Sequence, residues 1–505
     1  MMKKIILFLI ISCFSFIQMS CDDFLTQEPE TSATNINFWK TEQDVESAVY
    51  GLHTVFRDAI GSYTQYYRDR GILLDYLSLA KWNKSQSNDL SGYTTSSPEL
   101  SWANEYKIIA QANLIIDNID RANLSQDRYN FYLGQALYLR AYTYFQIIRL
   151  WGDAPLVISS NDIGQKGRTP WKEIASFIIN DLVKAVQLLP SVDQLRDSKG
   201  NIITNKQIPC KGIANATLAH AYAWLAGFGK EPMYYTKGIE AATAVINDPN
   251  YGLVVNPEEV CTKVMRGNSK ESIFEITYSE LLGEYKSYAG YIAGAIQRWP
   301  IQPNTTPATK RNYRINNTTV ANLYSKNDLR RTAYFKDFEQ MAEESSAITQ
   351  DAAYVQIWRY PIIFNDGNKK GQMKTYDANE IIFRLADIIL LRAEMKAATN
   401  DLSGAKSDLN IIRQRAGVDD YTPEEGDLRI AIQLERDKEL IFQCLVRYFD
   451  NMRNHTYNKN LKGNFLTLSE QDVLNGALFL PLPKVAFNNN PAMKQTVYWQ
   501  IQFRI

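Results

Sequence analysis

Residues 128–156 read RYNFYLGQALYLRAYTYFQIIRLWGDAPL, and this stretch decides the fold class. Leu133, Leu137, Ala141, Tyr144, Ile148 and Trp151 recur at steps of four and three, the spacing that puts side chains on one face of an α-helix. Gly152 and Pro155 then end the helix, because glycine accepts a closing left-handed turn and proline cannot continue the ladder. The same period predicts a partner helix over 102–120 and further helices over 171–189 (ended by Pro190), 211–226, 236–247, 380–398, 402–416 and 428–453. Another begins near Thr41, with Glu42 and Asp44 in the first turn, where carboxylates suit the helix dipole.

Residues 385–417 form one unit, with Thr399-Asn400-Asp401 turning between two helices. Its length is close to the tetratricopeptide period of about 34 residues. Small-then-large spacing recurs as Ala141 before Phe145 and Ala405 before Leu409. The pairs are not contiguous, so the expected class is mainly α: helix pairs concentrated over 41–250 and 380–455, with large insertions between.

Two insertions have a different texture. Residues 80–100 (AKWNKSQSNDLSGYTTSSPEL) are polar and turn-rich, and residues 278–320 show no helical period while mixing Tyr, Trp, Arg, Asn, Gly and Pro. The irregular region extends over about 278–370. Long irregular segments in a compact domain tend to carry function. Trp299, between Arg298 and Pro300 and downstream of Tyr288 and Tyr291, heads the best aromatic cluster. Trp82, in a run of polar residues, is either a ligand platform or a loop anchor. An aromatic face suits the C–H face of a sugar ring, and its polar neighbours suit the hydroxyls. Trp102 and Trp151 lie on apolar helix faces and read as core, and Trp358, alternating with Val355, Ile357 and Tyr360, reads as structural.

Whole-chain numbers exclude other classes. Lys+Arg and Asp+Glu are both 55 in 505 residues, so no basic excess exists to hold a phosphate backbone, and nucleic acid is excluded as a partner. Cys210, Cys261 and Cys444 form no CxxC pair, and His53, His220 and His455 have no HExxH spacing. No carboxylate spacing suggests calcium, so neither a metal nor a cofactor is called for. Glu435 and Glu439 stand one helical turn apart. Glycosidase carboxylates must flank a bond from opposite sides of a cleft, about 5–9.5 Å apart. These two, with Arg436, Lys438 and Arg447 nearby, read as a structural ion-pair network, and Asp387, Arg392 and Glu394 likewise.

The N-terminus reads as an address. Lys3 and Lys4 precede the apolar run Ile5 to Ile17, and Ser20 stands before Cys21, which is the pattern of a secretory signal over residues 1–20. The apolar run is too short to span about 30 Å of hydrocarbon as a helix. Cys21 resembles a bacterial lipoprotein acylation site. Cys13, after Ile10-Ile11-Ser12, is acceptable locally but leaves too short an apolar core. Residues 21–40 then form an extended polar leader, and 41–505 the folded domain.

The chain resembles the SusD-like (RagB/SusD) family of nutrient-binding outer-membrane lipoproteins. The resemblance is carried by Cys21-Asp22-Asp23-Phe24-Leu25, by Arg140-Ala-Tyr-Thr-Tyr-Phe145 through Arg149-Leu-Trp-Gly-Asp153-Ala-Pro155, and by Arg384-Leu-Ala-Asp387 through Arg392-Ala-Glu394. It continues in Glu435-Arg436-Asp-Lys-Glu439-Leu440 and in Pro481-Leu-Pro483 followed by Asn490-Pro491. Phe442-Gln443-Cys444-Leu445 replaces the family's usual acidic-Gly pair before Arg447-Tyr448-Phe449-Asp450, and the end lacks the usual Gln-Asn-Pro-Gly-Tyr-like close. The resemblance implies tetratricopeptide-like helix pairs in a right-handed superhelical scaffold under a loop-built ligand region. It further implies a lipid anchor at Cys21 on the cell surface, partnership with a SusC-like TonB-dependent transporter, and glycan binding without catalysis. A peptide cargo, as in RagB-type members, a helical-toroid glycoside hydrolase and a protein-interaction scaffold are the alternatives to a glycan carrier.

Overall fold

The helices form where the apolar spacing places them. In the computed structural model, which describes residues 38–69, 78–79, 101–278, 293, 296–297, 301–302, 313–343, 352–443, 446–461 and 463–504, helices run over Glu42–Asp69, Ala103–Asn118, Gln126–Leu150, Trp171–Leu188, Lys211–Ala226 and Tyr234–Ile246. They continue over Leu385–Ala398, Leu402–Arg415, Leu428–Glu439 and Val446–Arg453. The expected signal segment 1–20, Cys21, most of the leader and the candidate residues Trp82, Tyr288, Tyr291, Arg298 and Trp299 lie outside the described residues, as does Cys444.

Each helix packs on its neighbour in the chain from 42–69 to 234–246, and the 385–398 helix then docks on 234–246. The stack therefore resumes across the insertion, with each helix covering the apolar face that its neighbour cannot bury alone. One core cluster results, running from Trp39 to Trp499.

The 126–150 helix is the centre of that core, and its environment departs from a one-faced amphipathic helix. From Phe131 onward it is buried on almost every side, because the 103–118 and 171–188 helices both pack on it. Arg140, the charged residue of its motif, is satisfied inside. Its Nε and Nη2 donate to the Asp181 carboxylate at 2.8 and 3.0 Å, and its Nη1 donates to Asn113 Oδ1 at 2.7 Å, so one guanidinium joins three helices. The Tyr144 hydroxyl accepts from Val157 N at 2.8 Å and pins the chain just beyond the turn. Asp153 Oδ1 accepts from Trp171 N at 2.8 Å and starts the next helix.

Gly152 carries this turn at φ +70°, and a Cβ there would meet the Phe479 ring at 2.8 Å. Backbone strain and a ring clash combine, so Gly152→Ala is expected to cost about 1–3 kcal/mol, read as a lowered denaturation midpoint.

Three expectations need correction. The segment predicted as one helix over 380–398 begins with strand β6, Glu380–Arg384, antiparallel to β2, Ser272–Ile276. A short apolar run fits strand or helix equally by period, and the distant partner strand decides. The helix predicted over 428–453 breaks after Glu439, where Leu440 and Phe442 turn inward and the Phe442 ring packs 5.9 Å from that of Trp358. Finally, the irregular region 278–370 contains three short helices, Asn317–Leu323, Leu329–Tyr334 and Phe338–Glu343.

Candidate functional site

Two short strands bring together the ends of both insertions that the sequence singles out. β1, Ser78–Leu79, precedes the 80–100 segment, and β3, Tyr313–Arg314, follows most of the 278–320 segment. They pair antiparallel, with Ser78 opposite Arg314 and Leu79 opposite Tyr313. In sequence, Trp82 comes soon after β1, and Tyr288, Tyr291, Arg298 and Trp299 come before β3.

The described flanks of the second insertion are tied down one after another. At its start, Tyr278 N donates to Asn379 Oδ1 at 3.2 Å, and Asn379 Nδ2 donates to Glu275 Oε1 at 3.0 Å. Gln297, immediately before Arg298, is fully buried and donates through Nε2 to the Trp358 carbonyl at 2.8 Å. After β3, Ala353 N donates to the Ile315 carbonyl at 2.8 Å, and bridges join Asn316 to Ala352 and Phe335 to Val355. The seam ends in the hairpin of β4, Pro361–Ile363, and β5, Met373–Tyr376. Backbone polar groups are thus satisfied by this layer without a large sheet, which is how an irregular region can be packed at acceptable cost.

Trp358 is structural, 4% exposed against Phe442, and Trp102 and Trp151 are buried edge to face with ring centres 6.0 Å apart. Next to Trp358 the seam exposes a group that the sequence reading missed. The Arg266 guanidinium lies 4.6 Å from the centre of the Tyr360 ring and donates to Asp377 Oδ2 at 3.0 and 2.6 Å. Tyr360 is partly exposed, and its backbone carbonyl accepts from Asp377 N at 2.8 Å. Arg266 and Asp377 are far apart in the chain, so no local pattern signals this cluster. It presents an aromatic ring, a guanidinium and a carboxylate together on the surface.

The carboxylates that mimic a catalytic pair do other work. Glu435 and Glu439 both face Arg330 Nη1, at 2.7 and 3.2 Å, inside the protein. Arg384 Nη1 bridges Glu439 at 2.6 Å and Glu271 at 2.7 Å, and Arg415 contacts both as well. Burial alone would raise the Glu439 pKa, but Arg415, Arg384 and Arg330 hold it down to about 2. In a second buried group, Asp387 meets Arg436 at 2.8 Å and His220 at 2.9 Å, and burial, which opposes its ionisation, is outweighed by those two partners. Arg392 pairs with Asp408, and Glu394 with Arg453. The ion-pair reading of these residues holds.

Residues 300–499 match the SusD family, and residues 23–220 match the family described as starch-binding, associating with outer membrane. SusD-like protein P25 of Formosa agariphila is 24% identical, over 87% of this chain and 87% of its own. SusD-like protein P2 of the same bacterium is 24% identical, over 92% of this chain and 94% of its own. The crystal structure of a SusD homolog from Bacteroides thetaiotaomicron superposes with a TM-score of 0.73 at 20% identity, covering 92% of this chain and 99% of that one, which establishes the fold. SusD-like proteins are associated with glycan binding in nutrient uptake, and are binding proteins rather than enzymes. No helix among the described residues is long and apolar enough to cross a membrane. A mainly helical scaffold, motifs in family order and matched segments in both halves agree that the chain belongs to the SusD-like family.

Proposed function

We propose that this protein captures oligosaccharide at the cell surface and passes it to a SusC-like TonB-dependent transporter, without catalysis, while held to the outer membrane by lipid on Cys21. The observation that carries this reading is the β1–β3 pairing, which roots the two aromatic-bearing insertions at one place. Trp82, Tyr288, Tyr291, Arg298 and Trp299 are the proposed ligand residues, with Tyr360 and Arg266 on the adjoining seam.

Stacking one sugar ring on an aromatic removes roughly 100 Å² of apolar surface, worth about 2.5 kcal/mol. Three such contacts give about 7 kcal/mol gross, from which at least about 4 kcal/mol of association cost is subtracted. The remainder is weak binding, which suits capture and hand-over.

The test is affinity electrophoresis of the full chain through gels containing starch, xylan, laminarin or pectin. At least one polymer is expected to retard the protein, and the double variant Trp299→Ala, Tyr291→Ala is expected to migrate freely, a loss of at least about 100-fold in affinity for two stacked rings. Full retardation of the double variant removes this site. Binding of short peptides with no retardation in any gel moves the cargo to the peptide class, and release of reducing sugar from any polymer overturns the non-catalytic reading.

A further inference from the structure

A cavity of about 600 Å³ opens between the turn after the 126–150 helix and the C-terminal segment. This volume falls within the about 300–1,000 Å³ span of small-molecule sites. Its lining comes only from residues 153–171 and 474–497, so it shares nothing with the insertions or their seam.

Its walls divide by chemistry. Trp171 and Phe479 supply rings, braced from behind by Phe228, whose centre lies 5.5 Å from that of Trp171 and 5.7 Å from that of Phe479. Arg168 is held in place by three carbonyls: Nε donates to Asp153 at 2.7 Å, Nη2 to Trp151 at 2.8 Å and Nη1 to Lys494 at 3.3 Å. A guanidinium has five N–H donors, so its two terminal nitrogens each keep one more. The Lys494 side chain is exposed and makes no ion pair among the described residues. Asp153, the lining carboxylate, already accepts from Trp171 N through Oδ1. Thr496 Oγ1 is buried with no hydrogen-bond partner. Two cations against one carboxylate leave the cavity with an excess positive charge.

We propose that this cavity is a second saccharide subsite that takes a hexuronate residue, with Trp171 and Phe479 against the C–H face of the ring, Arg168 and Lys494 on the carboxylate, and Thr496 on a hydroxyl. A neutral sugar fills the same space but leaves the cations unanswered. A small inorganic anion answers the charge but leaves the rings bare. A pyranose bearing a carboxylate satisfies both walls.

The test is titration of the full chain with galacturonate and with galactose, followed by saturation-transfer NMR. Galacturonate is expected to bind at least tenfold more tightly than galactose. Lys494→Glu, which reverses an exposed charge without touching the core, is expected to weaken galacturonate at least tenfold, and Lys494→Arg to restore it. Equal affinity for the two sugars, an unchanged galacturonate titration in Lys494→Glu, or no galacturonate binding at millimolar concentration overturns the proposal. Retardation in the starch and laminarin gels, whose polymers carry no hexuronate, is read separately from this titration, so the insertion site and the cavity can each fail alone.

Discussion

Replacing Glu439 with Ala is expected to cost about 3–5 kcal/mol of stability, the usual result of leaving buried charges without their partner. Glu439 is 1% exposed and touches Arg384, Arg415 and Arg330, so its removal takes a carboxylate from three guanidiniums at once and leaves the buried cluster with an uncompensated positive charge. Those arginines stand on different segments: Arg384 ends β6, Arg415 ends the 402–415 helix, and Arg330 lies in the short 329–334 helix of the irregular region. With Glu271, Asp328, Glu435 and Lys438 the cluster balances four cations against four anions. It therefore fastens the irregular layer to the helical stack, and the layer is where ligand capture is proposed. The readout is the urea midpoint by circular dichroism, with Glu424→Ala, at an exposed carboxylate, expected to leave it unmoved.

The same residue sets an acid limb. The Glu439 pKa is lowered in the fold, so its contribution is complete above the unfolded value near 4.5 and is lost as pH falls toward about 2. Glu439→Gln is expected to flatten the stability profile over that window. A wild-type midpoint matched by Glu439→Ala at neutral pH would mean that the cluster does not hold the layer in place.

The scaffold was legible because helix formation leaves a local record. Leu133 to Trp151 repeat within one segment, and Gly152 marks its end whatever packs around it. Arg140 was readable as a motif residue but not as a buried one, since its partners Asn113 and Asp181 come from other helices. Strand β6 was missed for a related reason: EIIFR acquires its state from SIFEI more than a hundred residues earlier. The candidate site was legible only as texture. Aromatic composition picked out the insertions, but their common root at β1 and β3 is a pairing between distant residues, and Arg266 met Tyr360 and Asp377 through tertiary packing alone. The structural ion pairs were recognised because charges one turn apart on a helix cannot enclose a sugar, a geometric argument that needs no partner.

Glu380→Gln is expected to stabilise the protein at alkaline pH and to do little in acid. Glu380 opens β6 opposite Ile276 and beside Asn379, which holds the start of the insertion at Tyr278. It is 2% exposed, and its Oε2 is buried without a hydrogen-bond partner. Burial alone pushes its pKa up to about 8. The raised value fixes the sign: the folded chain favours the protonated acid, so the stability this group permits is complete below about 4.5 and declines as pH rises through 8. Gln keeps the shape and never ionises. The variant should therefore gain about 3–4 kcal/mol over the wild type at pH 8 and under about 1 kcal/mol at pH 5, taking about 1.4 kcal/mol per pH unit. The measurement is the difference between the two urea midpoints across this range, which cancels every group the two chains share. A difference that stays flat with pH would place water or a cation beside Glu380, whereas a rising one shows that this buried carboxyl at the root of the ligand-bearing insertion costs the fold stability as pH climbs toward 8.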